Sequence, residues 1–219
     1  MPKIKMPKSA PSLDMTPMVD LGFLLVTFFI LTAKFRPNEP VIVDVPASTS
    51  QELLPEKVMQ ITVDKDGRVY FDLAGKEVRR EMLKNMMTRH PELKLTEDQA
   101  NRFALLGMFG MPLNNLAQYL DGDEKTRANL DKITTGIPVD SLNDELGDWI
   151  MSGFSAFTDD AIKRGTDPKE LRGDNALKYA LKADGTTDYD KVEKVINIFR
   201  EHEIYTFNMV TILEAGGSK

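Results

Sequence analysis

The stretch from Thr16 to Ala33, TPMVDLGFLLVTFFILTA, limits what this chain can become more than any other, because it is apolar along its length yet holds one ionisable side chain, Asp20. At about 1.5 Å of rise per residue, a helix over it reaches about 27 Å, close to the roughly 30 Å hydrocarbon thickness of a bilayer. A transmembrane helix over residues 15–34 is expected, with Met15 and Lys34 at its edges. An ionised carboxylate in hydrocarbon is costly, so an Asp there is neutral, paired, or turned toward protein or water, and Asp20 becomes the first functional candidate. A second reading stays open. Asp20 lies soon after Pro17, near enough to the helix start to reach headgroup water or to offset the positive end of the helix.

The flanks set an orientation. Residues 1–14, MPKIKMPKSAPSLD, hold three lysines and no acid before Asp14, which fits a short extended tail on the cytoplasmic side. The acidic excess, net −6 for the whole chain, falls on the residues beyond the apolar run and is carried outward. A cleaved signal peptide is the rival. The run is longer than the usual apolar core of one, contains Asp20, and is closed only by Leu31 and Ala33 as a poor cleavage site, so an uncleaved anchor is expected. Within it, Thr16 suits the N-cap and Pro17 the first helical position. At about 100° per residue, Thr16, Asp20, Phe23, Leu24, Thr27 and Leu31 share a face, while Gly22 and Phe29 lie away from it. One polar stripe fits a helix packed among other helices. Thr27 could equally satisfy itself on the carbonyl of Phe23.

Several function classes fall away on composition. An acidic chain lacks the basic footprint that phosphate binding needs, so no nucleic-acid partner is expected. With no cysteine, disulfides, thiolate chemistry and Cys-ligated zinc are excluded. His90 and His202 have no further ligands at metal-binding spacing, and Asp64-Lys65-Asp66-Gly67 lacks the later acidic ligands of a calcium loop, position twelve being Gly75. No nucleophile and base come together in a recognisable motif, and no phosphate loop or cofactor box is present. An enzyme is not expected, nor a metal or cofactor.

Beyond the span the pattern is α+β. Residues 35–56 read as a linker in which Val41, Ile42, Val43, Asp44 and Val45 form a short strand stopped by Pro46. Val58 to Val63 alternates as a half-buried strand, Asp64 to Gly67 is a turn, and Arg68 to Phe71 returns as a hairpin. Glu77 to Arg89 is an amphipathic helix with Val78, Met82, Leu83 and Met86 on one side. Residues 89–174 read as helices: Thr96 to Met108 behind a Thr96-x-x-Gln99 capping box, Pro112 to Leu120, Asp123 to about Ile133, Ser141 to Phe157, and Asp159 to Arg164. Their Met- and Phe-rich faces, with Trp149, are expected to make a small core of their own. Ala176 to Ala183 is ambiguous between helix and strand. A helix over Lys191 to His202 and a strand over Thr206 to Leu213 close the chain.

Three blocks resemble the ExbD/TolR family. Asp14-Met15-Thr16-Pro17-Met18-Val19-Asp20 before a Leu/Phe-rich span is similar to that family's Asn-x-Thr-Pro-x-Ile/Val-Asp signature, with Asp14 in place of Asn. VDVPASTS, residues 43–50, resembles its juxtamembrane stretch, and Ala183-Asp184 through Tyr189 resembles its Ala-Asp-x-x-x-x-Tyr turn. The resemblance makes Ala176 to Ala183 a strand. It implies a small periplasmic α+β domain over 57–88 and 175–214, with 89–174 as a helical insertion to which no family function carries over. It also implies an inner-membrane protein working as a dimer, one copy beside a second, inside an ExbB/TolQ-type pentamer. Asp20 would then carry protons, with Thr16 and Thr27 facing the pore, and the outer domain would act on a TonB-like protein or on peptidoglycan. Val41 to Val45 would serve as a strand-pairing site for a partner peptide. Three functions remain open at this point: an ExbD-like subunit energising TonB-dependent transport, a TolR-like envelope subunit binding cell wall, and an inert single-span tether.

Overall fold

The computed structural model describes residues 16–32, 57–140, 143–171, 175–185 and 187–211. They fall into two units that divide after Pro37, and each is taken by itself. The first contributes one helix, α1, Thr16–Thr32. Thr16 is its first residue rather than its cap, so Pro17 is its second residue. Its 17 residues extend about 26 Å. Among the described residues no helix is long and apolar enough to cross a membrane. Met15, Ala33 and Lys34, which complete the expected span, lie outside the described residues, as do the tail over 1–14 and the linker over 35–56 with its strand at Val41, Ile42, Val43, Asp44 and Val45.

The second unit is built on a four-stranded mixed sheet, consistent with the expected α+β class. Strand β1, Val58–Val63, and β2, Val69–Leu73, form the predicted antiparallel hairpin, with Met59 opposite Leu73 and Val63 opposite Val69. In the turn between them the carboxylates are taken up by protein groups. Asp64 accepts from the backbone of Asp66 and Arg68 and from the Arg68 guanidinium at 2.7 Å, while Arg68 reaches Asp66 at 2.8 Å. Strand β3, Lys178–Ala183, pairs parallel to β1, and β4, Asn208–Thr211, pairs parallel to β3, giving the order β2-β1-β3-β4. The ambiguous segment is therefore a strand. Helix α7, Tyr189–Glu201, makes the crossover between the two parallel strands.

Between β2 and β3 come α2, Lys76–Arg89; α3, Glu97–Leu105; α4, Leu113–Asp121; α5, Glu124–Ile133; and α6, Glu145–Lys163. The expected inner face of α2 is the buried one: Val78, Met82, Leu83 and Met86. The Thr96 capping box forms in full, Thr96 and Gln99 each bonding the other's backbone N–H. Three expectations are corrected. Helix α3 stops at Leu105 rather than Met108, because Phe109 pairs with the outer edge of β2, exchanging N–H···O bonds of 2.8 and 3.0 Å with Phe71. Ile137 N–H then bonds the carbonyl of Val69 further along the same edge. These contacts blunt a strand edge that would otherwise invite pairing.

Helix α6 is the second correction. It runs unbroken through Thr158 and Asp159, where two helices were expected, because neither residue breaks a helix and the Thr158 hydroxyl bonds back to the carbonyl of Phe154. It begins at Glu145 behind an Asp144 cap, not at Ser141. The third concerns the core. The aromatic side chains of residues 89–174 do not form a separate one; Trp149 stacks on Phe103 at 5.6 Å and meets Phe109 and the sheet residue Phe71 edge-on or tilted. A single buried cluster runs from Met59 and Ile61 on β1 through α2 and α6 to Val195 and Phe199 on α7. Accordingly β1 is buried on both faces and does not alternate. Gly153 lets α6 lie this close, since a Cβ there would press on Met59, Leu73 and Met82.

Candidate functional site

Helix α1 carries the residue that chemistry singles out. Leu, Val, Ile and Phe supply most of its length, and the apolar side chains stay outside any core: Phe23 is 70 % exposed, Leu24 64 % and Leu31 81 %. Asp20 stands in the second turn of this apolar helix and has no hydrogen-bond or ion-pair partner among the described residues. Seven residues further on, Thr27 comes back to nearly the same azimuth, as the helical period requires. Its hydroxyl donates to the carbonyl of Phe23 at 2.8 Å, and Thr32 does the same to Phe28, so both hydroxyls are satisfied within the helix. Thr16 opens the helix, and the structure describes its backbone only. The structure thus brings Asp20 and Thr27 to one stripe. Val41 to Val45 lie outside the described residues.

What this arrangement can do follows from the carboxyl's surroundings. A carboxyl is a group that can hold or release a proton, and the helix itself offers Asp20 no partner among the described residues. One elementary charge crossing a membrane potential is worth about 2.3 kcal/mol per 100 mV, enough over several transfers to move a helix bundle between positions. A single helix cannot enclose a path for that charge.

The second unit holds two polar groupings that spacing along the chain did not reveal. Tyr119 on α4 donates to Asp131 on α5 at 3.3 Å, and Arg68 from the hairpin reaches the carbonyls of Asp131 and Lys132. Burial holds the Asp131 carboxyl above the usual carboxylate range, with the Tyr119 bond and the charges of Arg127 and Arg68 opposing it. Burial also pushes Tyr70 up to about 12. Tyr70 Oη and Asp131 Oδ1 are buried without a hydrogen-bond partner among the described residues. No nucleophile with an oriented base appears in this cluster. The other grouping joins His90, Glu92 and Asp148, of which His90 and Asp148 lie 58 residues apart in the chain. Neither grouping left a signal in the sequence, because Arg68, Tyr119 and Asp131 come from separate elements, as do His90 and Asp148. Among the described residues no set of three or more His, Asp or Glu is placed to hold a metal ion.

Comparison with known proteins bears on the whole chain. A family model described as biopolymer transport protein ExbD/TolR matches residues 6–213. The biopolymer transport protein ExbD of Aquifex aeolicus (strain VF5) is 29 % identical over 113 residues, which is 51 % of this chain and 84 % of that protein. No solved structure matches.

Proposed function

Since the chain belongs to the ExbD/TolR family of biopolymer transport proteins, we propose that it is the proton-carrying subunit of an inner-membrane complex of the ExbB–ExbD type, which uses the proton motive force to energise TonB-dependent transport at the outer membrane. The observation that supports this most is α1: an apolar helix whose side chains find no core, with one carboxylate set into it. Such a surface requires lipid or other helices around it, and such a carboxylate requires helices or water. In this reading α1 crosses the bilayer with the N-terminus in the cytoplasm and the sheet domain in the periplasm. Two copies sit within an ExbB/TolQ-type pentamer. Asp20 takes up and releases the proton, and Thr16 and Thr27 lie along the pore face. The outer domain passes work to a TonB-like protein, and residues Val41 to Val45 serve strand addition. The ExbD of Aquifex aeolicus among the relatives favours this over a TolR-like role in binding peptidoglycan. Transport subunits of this family are not enzymes, and no enzymatic activity is proposed.

Co-purification tests the reading. The full-length chain, extracted in detergent from its own membranes, is expected to come out with a larger multi-span protein in ring-like excess. Recovery as a free chain would overturn it. Pull-down of a TonB-like protein supports the ExbD reading, and pull-down of peptidoglycan fragments in its place supports the TolR-like one.

A further inference from the structure

The first turn of α6 is a junction. Three acidic residues at its start each engage a different helix. Glu145, almost fully buried, accepts the first backbone N–H of α4 from Leu113 at 2.8 Å and the Asn143 amide at 3.2 Å. Asp144, the cap, spends one oxygen on the N–H of Gly147 at 2.9 Å and turns the other to His202 Nε2 at 3.6 Å, at the end of α7. Asp148 meets His90 Nε2 at 2.9 Å and Arg89 at 3.4 Å, at the end of α2. Both histidines of the chain are thus spent on one helical turn.

Their places in the backbone are alike. His90 is the C-cap residue of α2 and His202 the C-cap residue of α7. Positive charge at a helix C-terminus and negative charge at an N-terminus are each favourable, so an imidazolium in either position meets two attractions together. Gly147 is what permits the approach at α7, because a Cβ there would overlap both Asp144 and His202. A further bridge, Lys194 to Asp140 at 2.9 Å, ties α7 to the segment ahead of α6.

We propose that the start of α6 is a proton-operated clamp: with His90 protonated, α2 is locked onto it through Asp148, and with the imidazole neutral that junction loosens. The groups facing His90 are Glu92 at 3.0 Å, Asp148, and Arg89 beyond it; Asp144 faces His202. The hydrogen bonds and charges of Glu92 and Asp148 outweigh partial burial and hold the His90 imidazole above its ordinary value. Because the folded chain then binds this proton more tightly than the unfolded one, the added stability is complete below about pH 6.5 and is lost as pH rises through the raised folded value. The clamp does not rest on the transport reading. It gives the helical layer a stiffness set by the acidity of the medium around it.

Amide hydrogen exchange of the full-length chain, read at residues 145–148 as protection factors at about pH 5.5 and about pH 9, tests this. Wild-type protection is expected to fall roughly three- to tenfold between the two, the size of a partly shielded charge pair at a helix end. His90→Gln should hold the lower protection at both, and His90→Arg, charged throughout, should keep the higher one at about pH 9. Equal wild-type protection at the two values, or a pH dependence that survives His90→Gln, overturns the clamp. So does a loss of protection in His90→Arg as large as in His90→Gln.

Discussion

Helix α1 and the sheet domain solve opposite problems with similar residues. In α1, Phe23, Phe28 and Phe29 are 70 %, 61 % and 62 % exposed, while Phe71, Phe103 and Phe199 in the domain are almost wholly buried. Apolar side chains in the domain find one another through strand pairing and helix packing, and its stability is its own affair. Those of α1 are left for lipid or for other chains. A carboxylate in the first setting can be held by a neighbour, as Asp64 is by Arg68; in the second, Asp20 waits on what surrounds the helix. Self-sufficiency belongs to the domain and dependence to the helix, which is where the proposed function puts the group that exchanges protons.

The contrast predicts effects of very different size. Asp20→Asn keeps size and hydrogen bonding but removes the titrating group. It is expected to abolish energised transport, measured as uptake in a strain dependent on this chain, with the amount of protein in the membrane unchanged. Uptake at wild-type level would place the function elsewhere. Trp149→Ala acts on the other region. Loss of a fully buried indole stacked on Phe103 should cost about 3–5 kcal/mol in denaturant unfolding followed by circular dichroism. A cost below about 1 kcal/mol would mean that the aromatic cluster does not hold residues 89–174 to the sheet.

Alkaline pH should act on the domain more weakly. Tyr70 and Tyr179 are both pushed up to about 12 by burial. In the unfolded chain phenols ionise near pH 10, so the folded chain binds these protons more tightly, and stability present below about pH 10 is lost as pH climbs toward about 12. Absorbance titration should show the two phenols ionising late and together with unfolding; early, reversible ionisation of all five tyrosines would contradict their burial. The smallest effect is expected at Thr27→Val. The Thr27 hydroxyl is already bonded to Phe23, so transport should change by less than about twofold, and a large loss would show that the hydroxyl serves the proton path.

Much of the domain could be read from local pattern. The β1–β2 hairpin, the buried face of α2 and the capping box at Thr96 depend on residues close together in the chain, and all three form as expected. The end of α3, the covered edge of β2 and the merging of aromatic side chains into the sheet's core depend on contacts across tens of residues. Periodicity carries no such information: the helical pattern was read on through Leu106 to Met108, where the pairing of Phe109 with the edge of β2 ends it earlier. The clamp at α6 was hidden for the same reason, His90 and Asp148 lying 58 positions apart. Asp20, by contrast, was legible at once, because a charge within an apolar run stands out in one dimension. Its partners were not, since under the proposed function they belong to other molecules.

The most direct measurement is proton flux through the intact complex, reconstituted into vesicles under an imposed membrane potential, with wild-type chain or with Asp20→Asn. Flux that is present in the first and absent in the second is the result predicted here. Equal flux in both would contradict the assignment of the proton to Asp20.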